Sequence, residues 1–242
     1  MKKAGIIFIT FIIVVLIMLS VSFGNDDIEK AKKTVQKLFP NSPIASFEKT
    51  PIEGMYEMAI GNNIIYVFPE KGYLFFGELW TKDGKNITAE SRQRLMSARL
   101  KNLPLDLAIK IGNGRHQVIE FSDPDCPFCR KAYSYFSTLP EDRVTKYVFL
   151  YPLEKIHPEA RKKALYILCN DNPEKAYDEA FSGKLDGNVQ IPESCNLKEK
   201  ESLLNKHIET ALSMGVTGTP AFYIDGKYVA GADIPRIESL IK

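Results

Sequence analysis

Cysteine is scarce in this chain and missing from its first half; the four present are Cys126, Cys129, Cys169 and Cys195. With none before Cys126, lipid attachment at a cysteine near the N-terminus is excluded. Histidine is scarcer still: His116, His157 and His207 stand at no ligand spacing to one another, and there is no second Cys-x-x-Cys. A four-coordinate zinc site therefore lacks the partners it needs, and no metal or other cofactor is implied. An excess of one charge is also lacking, with 32 basic against 30 acidic residues. Removing Lys2 and Lys3 with a cleaved leader would leave thirty of each, and scattered lysines on a neutral chain have no bulk attraction for nucleic acid. Low-complexity tracts and internal repeats are absent.

What is present begins with one long apolar run. Lys2 and Lys3 precede GIIFITFIIVVLIMLSVSFG, and the first acid is Asp26. Residues 1–24 read as an export signal cut near Asn25, after small Ser22 and Gly24. The run is also about long enough to span a bilayer, so an uncleaved inner-membrane anchor is the alternative. Either way the rest of the chain is expected in an oxidising compartment, the periplasm, where disulfides persist.

The remaining residues divide by pattern. Asp26 to Leu38 alternates as an amphipathic helix that Pro40 stops. IASFEKT, MYEMAI, IIYVF and YLFFGELW follow, separated by Gly61-Asn62-Asn63 and Pro69-Glu70-Lys71-Gly72, and read as a small antiparallel sheet over residues 25–87. YLFFGELW carries more large apolar residues than one face of such a sheet easily hides; they fill its core or form a subunit interface. Residues 88–104 read as a linker helix ending at Pro104. Residues 105–242 then run strand (QVIEFS), Cys126 at a helix start, strand (Lys146 to Tyr151), three helical stretches, a turn at Gly218-Thr219-Pro220, a hairpin at Asp225-Gly226 and a last helix.

FSDPDCPFC is the chemical centre of that pattern. At a helix N-terminus, Cys126 has first-turn N–H groups and the helix dipole to stabilise a thiolate, so it is the expected nucleophile. Cys129, one turn on, is placed to resolve a mixed disulfide. Pro127 suits the first turn, where its missing N–H has no partner, and Phe128 is expected as an exposed contact. A bond before proline can be cis, and a cis Thr219-Pro220 would turn the backbone of Thr219 toward a substrate strand. Cys169 and Cys195 flank 25 residues of helix and loop. They are expected to form a structural disulfide, with two buried free thiols as the alternative.

This order resembles the thioredoxin fold. Over nearly the whole chain after the leader it is similar to the periplasmic disulfide isomerases DsbC and DsbG, on FSDPDCPFC, GVTGTPAFYIDG, the small N-terminal sheet domain, the linker helix and the second cysteine pair in a helical insertion. The resemblance implies an α+β protein with a cystatin-like N-terminal dimerisation domain and a thioredoxin-like catalytic domain, α/β in character. It also implies a homodimer, exported client proteins and a membrane reductant of the DsbD type. Threonine before the proline is shared with that family. Glu120 is the departure: thioredoxin and DsbA carry a buried acid six residues before the first cysteine, whereas DsbC and DsbG look apolar there. Such an acid could take the proton of Cys129, its own pKa raised by burial. Exposure of Glu120 on the other strand face is the alternative. The expected activity is isomerisation of wrong disulfides by a reduced CPFC motif. The alternatives are an oxidase or reductase of an export pathway, or a chaperone with secondary thiol activity.

Overall fold

A computed structural model describes residues 27–41, 44–61 and 63–242. The expected leader lies outside them. Among the described residues no helix is long and apolar enough to cross a membrane. The chain divides into two compact units after Arg94, inside a helix.

The first unit opens with helix α1 over 27–38. Four antiparallel strands follow, β1 (Ile44–Lys49), β2 (Tyr56–Ile60), β3 (Asn63–Phe68) and β4 (Tyr73–Phe75), hydrogen-bonded in sequence order. The apolar stripe of α1, Ala31 and Val35, packs on Phe47, Met58 and Val67 from alternate strand positions. YLFFGELW does not form one long strand. Pairing ends at Phe75, and Gly77 lies so close to the Phe75 ring that a Cβ there would meet it at 2.8 Å. Its aromatics do not fill the core either: Tyr73, Phe76 and Trp80 are 67%, 71% and 57% exposed, beside the edge strand of the sheet. Tyr66, fully buried, shares a 2.6 Å hydrogen bond with Thr88.

Helix α2 (Ile87–Lys101) carries the division between the units. The second unit continues with β5 (Ile109–Ile111), β6 (His116–Ser122), α3 (Pro127–Phe136) and β7 (Val144–Leu150). After these come α4 (Ala160–Cys169), α5 (Pro173–Phe181), α6 (Leu197–Ser213), β8 (Ala221–Ile224), β9 (Lys227–Ala230) and α7 (Ile234–Leu240). The five strands stand in the order β5-β7-β6-β8-β9, with β6 and β7 parallel and the other pairs antiparallel. Three-residue β5 has no counterpart in the sequence reading; so short a run carries no period to detect.

Both faces of the central strand β6 are covered, because its side chains alternate. Ile119 and Phe121 join Phe149, Tyr223 and Ala211 on one face. Val118 packs with Ala132 and Phe136 of α3 on the other. Glu120 and Ser122 share the Val118 face and are fully buried. His207 of α6 is also buried. It accepts from Leu150 N at Nδ1, so Nε2 carries the proton donated to Leu107 O, and burial lowers its pKa.

The structure joins Cys169, at the end of α4, to Cys195, just before α6. Closing a loop of 26 positions removes unfolded-chain entropy. The Cys169→Ser/Cys195→Ser protein should lose about 3–4 kcal/mol of unfolding free energy in a denaturant titration. An unchanged midpoint and slope would contradict a structural role for this bond.

Candidate active site

The strand-to-helix junction after β6 builds the site. Cys126 is the N-cap of α3, with extended backbone (φ −69°, ψ 122°), and Pro127 opens the first turn. The approach loop is stapled by Asp123, which is fully buried. Its carboxylate accepts from Asp125 N at 2.8 Å, from Leu153 N at 2.7 Å, and lies 2.9 Å from His157 Nδ1. Its own N–H points at Cys129 Sγ, 3.4 Å away. The other end of the chain closes over the pair: the Thr219-Pro220 bond is cis, and Thr219 O lies 3.4 Å from Cys126 Sγ.

Cys126 and Cys129 are free thiols with very different proton affinities. Cys126 is lowered to about 5, first by a hydrogen bond from the Cys129 thiol. Burial opposes this, while the Cys129 and Phe128 backbone N–H groups and Thr219 add to it. Cys129 moves the other way, pushed far above the usual thiol range by burial and then by sharing its proton with Cys126. One thiolate and one thiol at neutral pH is the arrangement that exchange chemistry uses. Phe128, between them, is 61% exposed.

Two charged constellations support the motif. Arg130 grips both oxygens of Asp186 at 2.7 Å, reaches Asp125 at 3.0 Å and donates to Pro124 O. Lys163 bonds the same two aspartates. Arg130 and then Lys163 hold the Asp186 carboxyl well below the usual carboxylate range. The loop closed by Cys169–Cys195 is thereby tied to the first turn of α3. Beneath the motif, Glu120 accepts from the Tyr177 hydroxyl at 3.0 Å and lies 3.4 Å from Lys146 Nζ, which also reaches Tyr177 at 3.1 Å. Burial, then the charge of Glu120, raises Tyr177 well above its ordinary value, so its hydroxyl remains a donor. Of the two positions open for Glu120, the structure takes the buried one.

Among the described residues no cluster of three or more His, Cys, Asp or Glu is arranged to hold a metal ion. The structure brings Cys126, Cys129 and Thr219 together. The sequence reading missed Asp123, Arg130, Lys146, His157 and Tyr177. Lys146 had one available signal, a lysine within the apolar run VTKYVFL.

Residues 103–236 match the thioredoxin-like domain family, and residues 22–89 match the N-terminal domain of disulfide bond isomerase proteins. The chain belongs to the thioredoxin-like domain family and carries, ahead of that domain, a match to the N-terminal domain of disulfide bond isomerase proteins. It is 29% identical over 211 residues to a probable thiol:disulfide interchange protein DsbC of Bordetella avium, covering 86% of this chain and 71% of that one. To DsbC of Escherichia coli K12 it is 22% identical over 218 residues, covering 88% and 86%. The thiol-disulfide exchange protein alpha-DsbA2 of Wolbachia pipientis shares the fold, with a TM-score of 0.50 at 16% identity over 62% of this chain and 96% of that one. Like the DsbC proteins it matches, this chain is a thiol–disulfide exchange enzyme.

Iodoacetamide alkylation of Cys126 in the reduced protein should be nearly flat from pH 8 to pH 6 and fall through a midpoint near 5. A midpoint at or above the free-thiol value of about 8.5 would contradict thiolate stabilisation at the helix end.

Proposed function

We propose that this DsbC-like protein works in the periplasm as a homodimer, isomerising wrong disulfides of exported client proteins from its reduced dithiol. The observation that carries the reading is the unequal thiol pair. Cys126, a thiolate at neutral pH, attacks a client disulfide and forms a mixed disulfide, releasing one client sulfur as thiolate. That sulfur can attack another disulfide of the client and free a different client thiolate, which then attacks the client sulfur of the mixed disulfide and releases Cys126 with no net change of oxidation state. When the client stalls, Cys129 loses its proton to Glu120 and attacks Cys126, expelling the client reduced. Thr219 and Pro220 offer backbone to an extended client strand, and Phe128 adds an apolar contact. Returning the motif to the dithiol needs an external reductant, for which a DsbD-type membrane protein is the candidate.

Residues 25–87 are proposed as the dimerisation domain, 88–104 as the linker and 105–242 as the catalytic domain. Support for the dimer comes from the exposed aromatics Tyr73, Phe76 and Trp80 beside edge strand β4, an apolar patch that a second copy would cover. A second reading has one observation in its favour. A buried acid under the motif speeds resolution, which suits net oxidation or reduction more than shuffling.

Cys129→Ala should accumulate mixed disulfides with clients through Cys126, and Cys126→Ala should accumulate almost none, as read on non-reducing gels of thiol-trapped cells. Equal trapping by both variants would reverse or erase the assigned roles. The full-length Phe76→Asp/Trp80→Asp protein should sediment as a monomer at micromolar concentration where the parent is a dimer; an intact dimer would place the interface elsewhere.

A further inference from the structure

Resting on the reading of Glu120 as proton acceptor, there is a gap to explain. The hydrogen bonds of Glu120 go to Tyr177 and Lys146, and among the described residues none joins it to Cys129. Between them on the same strand face stands Ser122. Residues two apart on a strand are roughly 7 Å apart, so Ser122 is the next side chain beyond Glu120 toward the motif. The peptide that follows it carries the Asp123 N–H directed at Cys129 Sγ. Ser122 is fully buried; its Oγ meets no nitrogen or oxygen partner, and its hydroxyl faces the Cys129 sulfur, whose proton affinity it lowers. A buried hydroxyl satisfied by nothing better than a sulfur gains little for the core, so its presence beside a reacting thiol asks for a reason.

We propose that the Ser122 hydroxyl relays the proton of Cys129 to Glu120 during resolution of the mixed disulfide. A hydroxyl accepts and donates at once, which suits it to this place. In the step, the Cys129 proton moves to Ser122 Oγ as the Ser122 proton moves to Glu120. The Cys129 sulfur then bonds Cys126, the Cys126–client bond breaks, and its electron pair leaves on the client sulfur. The motif is oxidised by two electrons and the client is reduced by two. The groups facing Glu120 are Lys146 from β7 and Tyr177 from α5, with Cys129 on the α3 side. Lys146 also borders an open cleft of about 730 Å³ with Lys110, Glu174 and Asp178, lined by Phe136 and Ser137 at the far end of α3 from the thiols.

Ser122→Ala separates this role from a structural one, because a hydroxyl whose one neighbour is a sulfur adds little to stability. The Ser122→Ala protein should melt near the parent temperature and keep the Cys126 alkylation profile. Its single-turnover release of a client peptide from Cys126 at pH 7 should be slowed roughly tenfold or more, recovering as pH rises and hydroxide takes over. Ser122→Thr, which keeps the hydroxyl, should restore most of the rate. Ser122→Ala/Glu120→Gln should be no slower than Glu120→Gln alone, since both act on one path. Parent-like release from Ser122→Ala alongside slow release from Glu120→Gln would overturn the relay and leave Glu120 as acceptor. Parent-like release from both would overturn the relay together with the reading beneath it. Fully additive losses would also overturn it, by placing the two residues on separate paths.

Discussion

The hydrogen bond from the Cys129 thiol to the Cys126 sulfur, made at the first turn of α3, is the interaction on which the rest depends. It fixes one proton between two sulfurs and assigns it to Cys129, the more deeply buried of the two. The free N–H groups at the helix start add to that bias, and Asp123 holds the loop that brings the strand into the helix at this angle. The reduced form gains from it. With the folded pKa of Cys126 depressed, stabilisation is full above the unfolded thiol value and is lost as pH falls through about 5. A stabilised dithiol makes the disulfide form a ready oxidant that is easily returned to the reduced state, which is the state an isomerase must occupy.

Placing Glu120 under this pair is costly, and the structure shows how the cost is met. A lone buried carboxylate is far less favourable than one paired and hydrogen-bonded. Lys146 supplies the charge and Tyr177 a donor, and Tyr177 comes from the helical insertion whose ends the Cys169–Cys195 bond closes. The insertion also sends Asp186 to Arg130 on α3. Loop, disulfide and buried triad thus act on one helix, holding its first turn from outside and its buried face from below.

Much of this was legible in the chain. The motif stood at a strand-to-helix change of period, Thr-Pro stood before a hairpin, and the paired cysteines flanked one insertion. Each is a local signal. The unseen parts are pairings across long separations: Asp123 with His157, Arg130 with Asp186, Glu120 with Lys146 and Tyr177. No periodicity encodes which buried lysine meets which acid. The length of β4 also escaped, because the steric limit set by Phe75 against Gly77 is a matter of ring placement and not of composition.

The central claim, that this enzyme shuffles disulfides from its dithiol, is tested most directly by a turnover count. Reduced protein is mixed with an excess of a scrambled multi-disulfide protein, with no added oxidant or reductant, and recovery of native client is followed with the redox state of Cys126 and Cys129. The account predicts many native molecules per enzyme with the motif still a dithiol at the end. One exchange per enzyme, with Cys126 and Cys129 finishing as a disulfide, would contradict it and make the protein a reductase.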